Sequence, residues 1–281
     1  MREGEFLGLS AAGFHRIAYT EWGDPASERV VVCCHGLTRN GRDFDLLAER
    51  LSRFARVVCP DVVGRGKSDW LSDPKLYGYP QYVADMNALI ARLNVGQVDW
   101  IGTSMGGLIG MTLAAQPKSP IRSLVMNDVG PFVPRAALRR IADYVGLDNR
   151  FSSLASLENH LRKAYAPFGP LTDAQWAHLT THGHRDIGDG TYGLAYDPAI
   201  AVNVRLGVQD WNLWPIYEKV AAPVLVVRGM DSDLLAETTA AEMAKRGPKA
   251  ERLDIPGVGH APALMAEDQI SALEGWLEKV K

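Results

Sequence analysis

Val98-Asp99-Trp100-Ile101-Gly102-Thr103-Ser104-Met105-Gly106-Gly107 is the stretch that decides how the chain is read. An apolar-leaning run ends at Gly102, reaches Ser104, and continues through Gly106 into Leu108-Ile109-Gly110-Met111-Thr112-Leu113-Ala114-Ala115, which reads as a helix. Strand, sharp turn and helix around Gly-x-Ser-x-Gly is the setting that holds a serine hydroxyl above the end of a sheet. Such a turn strains the backbone at Ser104, so the residues two before and two after it must be small where strand and helix crowd together. The helix N-terminus then lies beneath the hydroxyl, and the Met105 amide points to where an oxyanion would form. The pentapeptide alone also fits an idle serine in a tight turn, so the rest of the chain has to decide.

Working outward, strands and helices alternate on both sides. Val30-Val31-Val32-Cys33-Cys34 is a continuous apolar run, as expected of an inner strand covered on both faces. Arg56-Val57-Val58-Cys59 and Ile121 to Met126 are further strands, and residues 14–20 alternate like a half-buried edge strand. Residues 42–53 and 81–93 read as amphipathic helices. The alternation breaks over 131–216, a stretch of short helical patterns with clustered Pro and Gly. It resumes at Val224-Leu225-Val226-Val227, with a helix at 236–246, a strand at 250–255 and a helix at 266–279. The pattern predicts an α/β fold: a mostly parallel, doubly wound sheet from 1–130 and 217–281, with 131–216 inserted as a helical cap. Ligands of such sheets sit at the carboxyl ends of the strands, where Ser104 would lie.

The 281 residues carry a net charge of −3 and a pI near 6.2, with no basic excess to suggest nucleic acid. No apolar run approaches the ~20 residues that span a bilayer, and Met1 to Phe6 lacks a signal-peptide core. Cys33, Cys34 and Cys59 lie in apolar strand-like runs without metal-ligand spacing, so they read as reduced thiols of a cytoplasmic protein. Oligomeric state is not legible.

A serine hydroxyl needs a base. Of seven histidines, His260 stands in Pro256-Gly257-Val258-Gly259-His260-Ala261-Pro262, a loop after the last strand at the sheet end where Ser104 belongs. His35 precedes the nucleophile and reads as shaping the oxyanion loop, while His15 reads as structural. His178, His182 and His184 carry no companion cysteine or paired carboxylate motif, so they read as solvated side chains and no metal is expected. The acid that orients His260 could be Asp128, Asp231 or Asp233, all in loops at the same edge. The second oxyanion donor besides Met105 is expected at Leu37, in His35-Gly36-Leu37-Thr38, with Gly36 allowing close approach. Trp176, Trp211 and Trp214, with Tyr165 and Phe168, suggest an apolar pocket under the cap.

Four motifs in order carry a resemblance to the α/β-hydrolase family over nearly the whole chain. They are His35-Gly36, Asp61-Val62-Val63-Gly64-Arg65-Gly66-Lys67-Ser68, Gly102-Thr103-Ser104-Met105-Gly106-Gly107, and Gly259-His260. The second resembles the family's Asp-x-x-Gly-x-Gly-x-Ser turn, whose role is mostly structural. Within the family the chain looks like the capped esterases, lactonases and carbon–carbon hydrolases. A serine at 104 argues against haloalkane dehalogenases and epoxide hydrolases, which have Asp there. Many members place the acid at the position matching Ser232, a departure here. Some relatives, among them the amide-cleaving 2-(acetamidomethylene)succinate hydrolase, place it after the earlier strand, at the position matching Asp128. The resemblance therefore favours Asp128, then Asp233, then Asp231. It implies a cofactor-free serine hydrolase of small carboxylic esters. The rivals are a lactone, amide or carbon–carbon hydrolase using the same triad, and a small-molecule receptor on the same fold.

Overall fold

A computed structural model describes residues 1–280. The apolar runs form the middle of an eight-stranded sheet. Its strands are β1 (Arg2–Ser10), β2 (Gly13–Trp22), β3 (Val30–Cys34), β4 (Arg56–Pro60), β5 (Val98–Thr103), β6 (Ile121–Asn127), β7 (Val224–Gly229) and β8 (Glu251–Ile255). Their spatial order is β1-β2-β4-β3-β5-β6-β7-β8. β2 runs antiparallel to both β1 and β4, and the remaining neighbours are parallel. Along β3 the pleat sends Val30, Val32 and Cys34 into one apolar core and Val31 and Cys33 into the other. A strand buried on both faces therefore reads as an unbroken apolar run.

The helices α1 (Asp45–Leu51), α2 (Tyr79–Leu93) and α3 (Met105–Ala114) follow β3, β4 and β5 in turn, in the alternation predicted from sequence. Between β6 and β7 lie α4 (Arg135–Tyr144), α5 (Leu154–Ala164), α6 (Asp173–Gly183), α7 (Ala201–Leu206) and α8 (Trp214–Tyr217). Finally α9 (Glu237–Met243) precedes β8, and α10 (Glu267–Lys279) ends the chain. α2 and α3 cover one face of the sheet through Met86, Leu89 and Ile109. α1 and α10 cover the other through Leu47, Leu51, Leu273 and Leu277, all fully buried. Each such side chain contributes roughly 1.5–3 kcal/mol of burial.

Residues 14–20 are not the sheet edge. β1 lies outside them, pairing with β2 from Arg2↔Glu21 to Ser10↔Gly13. β1 escapes an apolar-pattern reading because two of its inward positions are glycines. A Cβ on Gly4 would meet the Tyr19 ring at 2.4 Å, and one on Gly8 would meet Asp85 Oδ1 at 2.4 Å. Neighbouring side chains fill the space that β1's own would occupy. Between β6 and β7 the described residues pair in two short ribbons, Phe132–Val133 with Trp211–Asn212 and His184–Asp186 with Tyr192–Leu194, and in isolated bridges of Phe151 with Tyr192 and of Arg65 with Tyr196.

Candidate active site

Ser104 sits between β5 and α3 with φ 51° and ψ −112°, a left-handed strain that a non-glycine residue tolerates only under constraint. The constraint is visible at the flanking glycines. A Cβ on Gly102 would lie 2.3 Å from the Gly106 carbonyl carbon, and one on Gly106 would lie 2.1 Å from the Cys34 carbonyl oxygen. The Ser104 amide donates to the Asn127 carbonyl at 2.9 Å, which ties the turn to the end of β6.

His260 meets the serine. Its Nε2 lies 2.9 Å from Ser104 Oγ, and its Nδ1 lies 2.8 Å from Asp128 Oδ2. The loop that carries it is pinned at both ends. The Gly259 amide donates to the Pro167 carbonyl at 2.7 Å, and Asn127 Nδ2 donates to the Pro262 carbonyl at 2.9 Å. Asp128 is fully buried, and its Oδ1 accepts from the Gly229 amide at 2.9 Å. Its Oδ2 also accepts from the Ser232 hydroxyl at 2.6 Å. Asp233 instead turns outward to Arg140, with contacts of 2.5 and 2.8 Å, and Asp231 lies exposed on the cavity rim.

Of the two residues expected to donate to an oxyanion, Met105 follows Ser104 and Leu37 lines the cavity that Ser104 faces. The Met105 amide heads α3, where helix geometry leaves it without an intrahelical acceptor. Gly36 approaches closely, since a Cβ built there would stand 3.8 Å from Ser104 Cβ. His35 fixes the peptide between Gly36 and Leu37. Its Nδ1–H donates to the Gly36 carbonyl at 2.7 Å, and its Nε2 accepts from the Val62 amide at 2.9 Å. Both ring nitrogens are engaged as in a neutral imidazole, and burial lowers the His35 pKa to about 4.

Arg65 was not foreseen as part of the site. It is fully buried, and Nε donates to the Leu37 carbonyl at 2.9 Å. Its Nη1 reaches the Val63 carbonyl at 2.7 Å and the Tyr82 hydroxyl at 3.0 Å, and Nη2 lies 3.7 Å from Met105 Sδ. The guanidinium thus braces both sides of the expected oxyanion site, with the Tyr82 ring 4.8 Å away and, among the described residues, no carboxylate against it. The signal was an arginine inside the glycine-rich turn after β4. The rest of that turn is scaffold: Asp61 accepts from the Gly41 and Lys67 amides, each at 2.8 Å, and burial raises its pKa to about 6.

Ser104 and His260 open into a cavity of about 570 Å³. Leu37, Thr103 and Phe44 form its floor side; Ile141, Tyr144 and Tyr165 come from the segment between β6 and β7. Both arginines in its wall are already paired. Arg39 binds Asp43 at 2.6 and 2.8 Å, and Arg140 binds Asp233. Tyr165 and Phe168 line the cavity as expected. Trp176, Trp211 and Trp214 do not. Trp176 packs with Leu157, Leu161 and Leu179, Trp211 lies edge-on to Tyr79, and Trp214 packs under Arg246. Large rings in a thin helical layer are consumed in holding that layer together. His15 pairs with buried Asp85 at 3.0 Å, as a structural residue.

Comparison with known proteins agrees with this architecture. Residues 29–265 match a family described as the alpha/beta hydrolase fold, and the chain belongs to that family. It is 50% identical over 272 residues to a 3-hydroxybutyrate-oligomer hydrolase of Cupriavidus necator, covering 94% of this chain and 93% of the relative. It is 30% identical over 241 residues to the 2-(acetamidomethylene)succinate hydrolase of Mesorhizobium japonicum, covering 84% and 83%. The crystal structure of an alpha/beta hydrolase from Novosphingobium aromaticivorans superposes with a TM-score of 0.88 at 37% identity, covering 99% of both chains. Among the described residues no helix is long and apolar enough to cross a membrane.

Proposed function

We propose that the chain hydrolyses carboxylic esters, with Ser104 as nucleophile, His260 as general base and Asp128 as the acid that orients it. The carrying observation is the continuous hydrogen-bond chain from Ser104 Oγ through the His260 ring to buried Asp128. In this reading His260 takes the Ser104 proton as Oγ attacks the ester carbonyl. The amides of Leu37 and Met105 receive the tetrahedral oxyanion, each worth on the order of 10²–10³ in rate. His260 then protonates the departing alcohol, and a water deprotonated by the same ring releases the acid from the acyl-enzyme.

The likeness at 50% identity to a 3-hydroxybutyrate-oligomer hydrolase narrows the proposed substrate to esters of short 3-hydroxy acids. The segment 131–216 acts as the cap, because it supplies much of the cavity wall. The three thiols, all buried and unpaired, suit a reducing cytoplasm. Turnover of p-nitrophenyl butyrate and of a 3-hydroxybutyrate dimer tests the reading. Ser104→Ala should lower both by about 10⁴-fold or more while leaving the fold intact. Retained turnover, or no adduct on Ser104 from a fluorophosphonate, overturns it.

The likeness to a 2-(acetamidomethylene)succinate hydrolase favours a second reading, cleavage of another acyl bond by the same three residues. A chain that takes the fluorophosphonate but ignores every ester in a panel would fit that reading instead.

A further inference from the structure

Three side chains that can ligate a metal converge at a seam beside the cavity. Asp45, His178 and His182 each bring one ligating atom to within 4.8 Å of the others. The histidines stand one turn apart on α6, so they share a face, and their ring centroids are 4.6 Å apart. Paired histidines at this spacing on a helix are an established way to hold zinc. Asp45 opens α1 on the other side of the seam and is buried. His178 Nε2 already lies 3.5 Å from Asp45 Oδ2. Ligands around a tetrahedral ion with bonds of ~2.0 Å stand roughly 3.3 Å apart. His182 also borders a polar cavity of about 380 Å³ shared with Thr181 and Lys67, which gives an ion its entry and room for coordinating water.

Two groups compete for these ligands. Arg42 holds both Asp45 oxygens at 2.6–3.0 Å, and its carbonyl accepts the His178 Nε2 proton at 2.9 Å. An ion must therefore move that proton to Nδ1 and share the carboxylate with a guanidinium. Late first-row ions such as Ni²⁺, Cu²⁺ and Zn²⁺ gain enough from imidazole to do so. A hard ion such as Mg²⁺ does not.

We propose that His178, His182 and Asp45 form an exchangeable site for a late first-row divalent ion, and that the ion staples α6 to α1. The staple bears on the cavity because Leu179, next to His178, and Phe44, next to Asp45, both stand in its wall. In its absence this part of the seam is held by the His178–Arg42 contact and by Asn40 Nδ2 donating to the His182 carbonyl at 2.7 Å. An ion would replace adjustable hydrogen bonds with coordinate bonds, and so restrict separation of the two walls.

Calorimetric titration of the chelator-treated full chain with Ni²⁺ tests the site. One ion per chain should bind saturably, and Mg²⁺ should not bind. Loss of an outer-shell partner alone typically costs about 10–100-fold in affinity, so His178→Asn and His182→Asn should each weaken Ni²⁺ by at least about tenfold. No saturation, equal binding of Mg²⁺, or unchanged binding by both variants overturns the site. Should a variant fail to fold, Co²⁺ added to the parent chain decides: a visible spectrum of imidazole ligation supports the site, and the spectrum of the hydrated ion overturns it. The staple is read from turnover, and this arm rests on the ester-hydrolase reading. Ni²⁺ should slow p-nitrophenyl butyrate hydrolysis by the parent and leave His178→Asn unaffected. Equal slowing of both, or no slowing of the ion-bound parent, overturns the staple. No ester turnover without ion defeats the hydrolase reading and leaves the calorimetric result to judge the site.

Discussion

The Ser232 hydroxyl donates at 2.6 Å to Oδ2 of Asp128, the same oxygen that faces His260 Nδ1 at 2.8 Å. Ser232 holds the position where many family members carry the acid. In the proposed triad the carboxylate comes from the end of β6 instead, and Ser232 supplies a hydrogen bond to it. The Gly229 amide completes the set, so a buried carboxylate is met on both oxygens.

This arrangement ranks the aspartates. Asp128→Asn should lower ester turnover by about 10³–10⁴, because an amide can stabilise the wrong imidazole tautomer and cannot offset the imidazolium. Asp231→Asn and Asp233→Asn should stay within a few-fold of the parent chain. Ser232→Ala should cost less than Asp128→Asn, since it removes one of three contacts to the carboxylate. Steady-state kinetics on p-nitrophenyl butyrate checks all four, and a large loss from Asp233→Asn with little from Asp128→Asn would reverse the ranking.

Arg65 predicts a separable effect. Arg65→Lys keeps a cation but cannot reproduce the fork to Leu37, Val63 and Tyr82. The Leu37 loop should lose its brace, with kcat falling by up to about 10², less than or equal to the loss of a full oxyanion donor, and KM little changed. A variant with parent kcat and raised KM would place Arg65 in substrate binding instead.

Acid should destabilise the fold through His35. Burial holds its pKa at about 4, below the ordinary 6.5, so between those values the unfolded chain binds more protons than the folded one. Its contribution is complete above pH 6.5 and is lost as pH falls towards 4, of order 3 kcal/mol in all. His182, also lowered to about 4 by burial, works in the same direction. Asp61, raised to about 6, opposes them: its folded form holds the extra proton, so its penalty is full above about pH 6 and fades towards 3.8. His160 is also lowered by burial and Asp85 also raised by it, so three imidazoles stand against two carboxyls and the net effect is a loss. Urea midpoints should fall from pH 7 to pH 5, and fall less for His35→Gln.

The turn glycines should be unforgiving. Gly106→Ala places a Cβ 2.1 Å from a backbone oxygen, which cannot move aside as a side chain could, so it should cost more than about 3 kcal/mol. Gly96→Ala meets nothing within 4 Å and should be neutral in the same thermal melt.

The sheet was legible from β2 to β8 because strands buried on both faces leave unbroken apolar runs. Ser104 and His260 were legible because their loops need glycines at fixed offsets. β1 was not, since its glycines make room for Tyr19 and His15 and erase the pattern. The tryptophans misled because a ring's size signals burial without saying against what. Asp45 and the α6 histidines are more than 130 residues apart, and periodicity carries no trace of such a meeting.

The two arginines in the cavity wall have a consequence for the end of the reaction. Ester cleavage near neutral pH turns an uncharged acyl group into an anion. Arg39 and Arg140 are each held on both arms by Asp43 and Asp233, and Asp231 adds negative charge at the rim. In the proposed ester hydrolysis the freshly made carboxylate would meet guanidinium groups already engaged and a negatively charged rim, an arrangement that favours release of the acid over its retention.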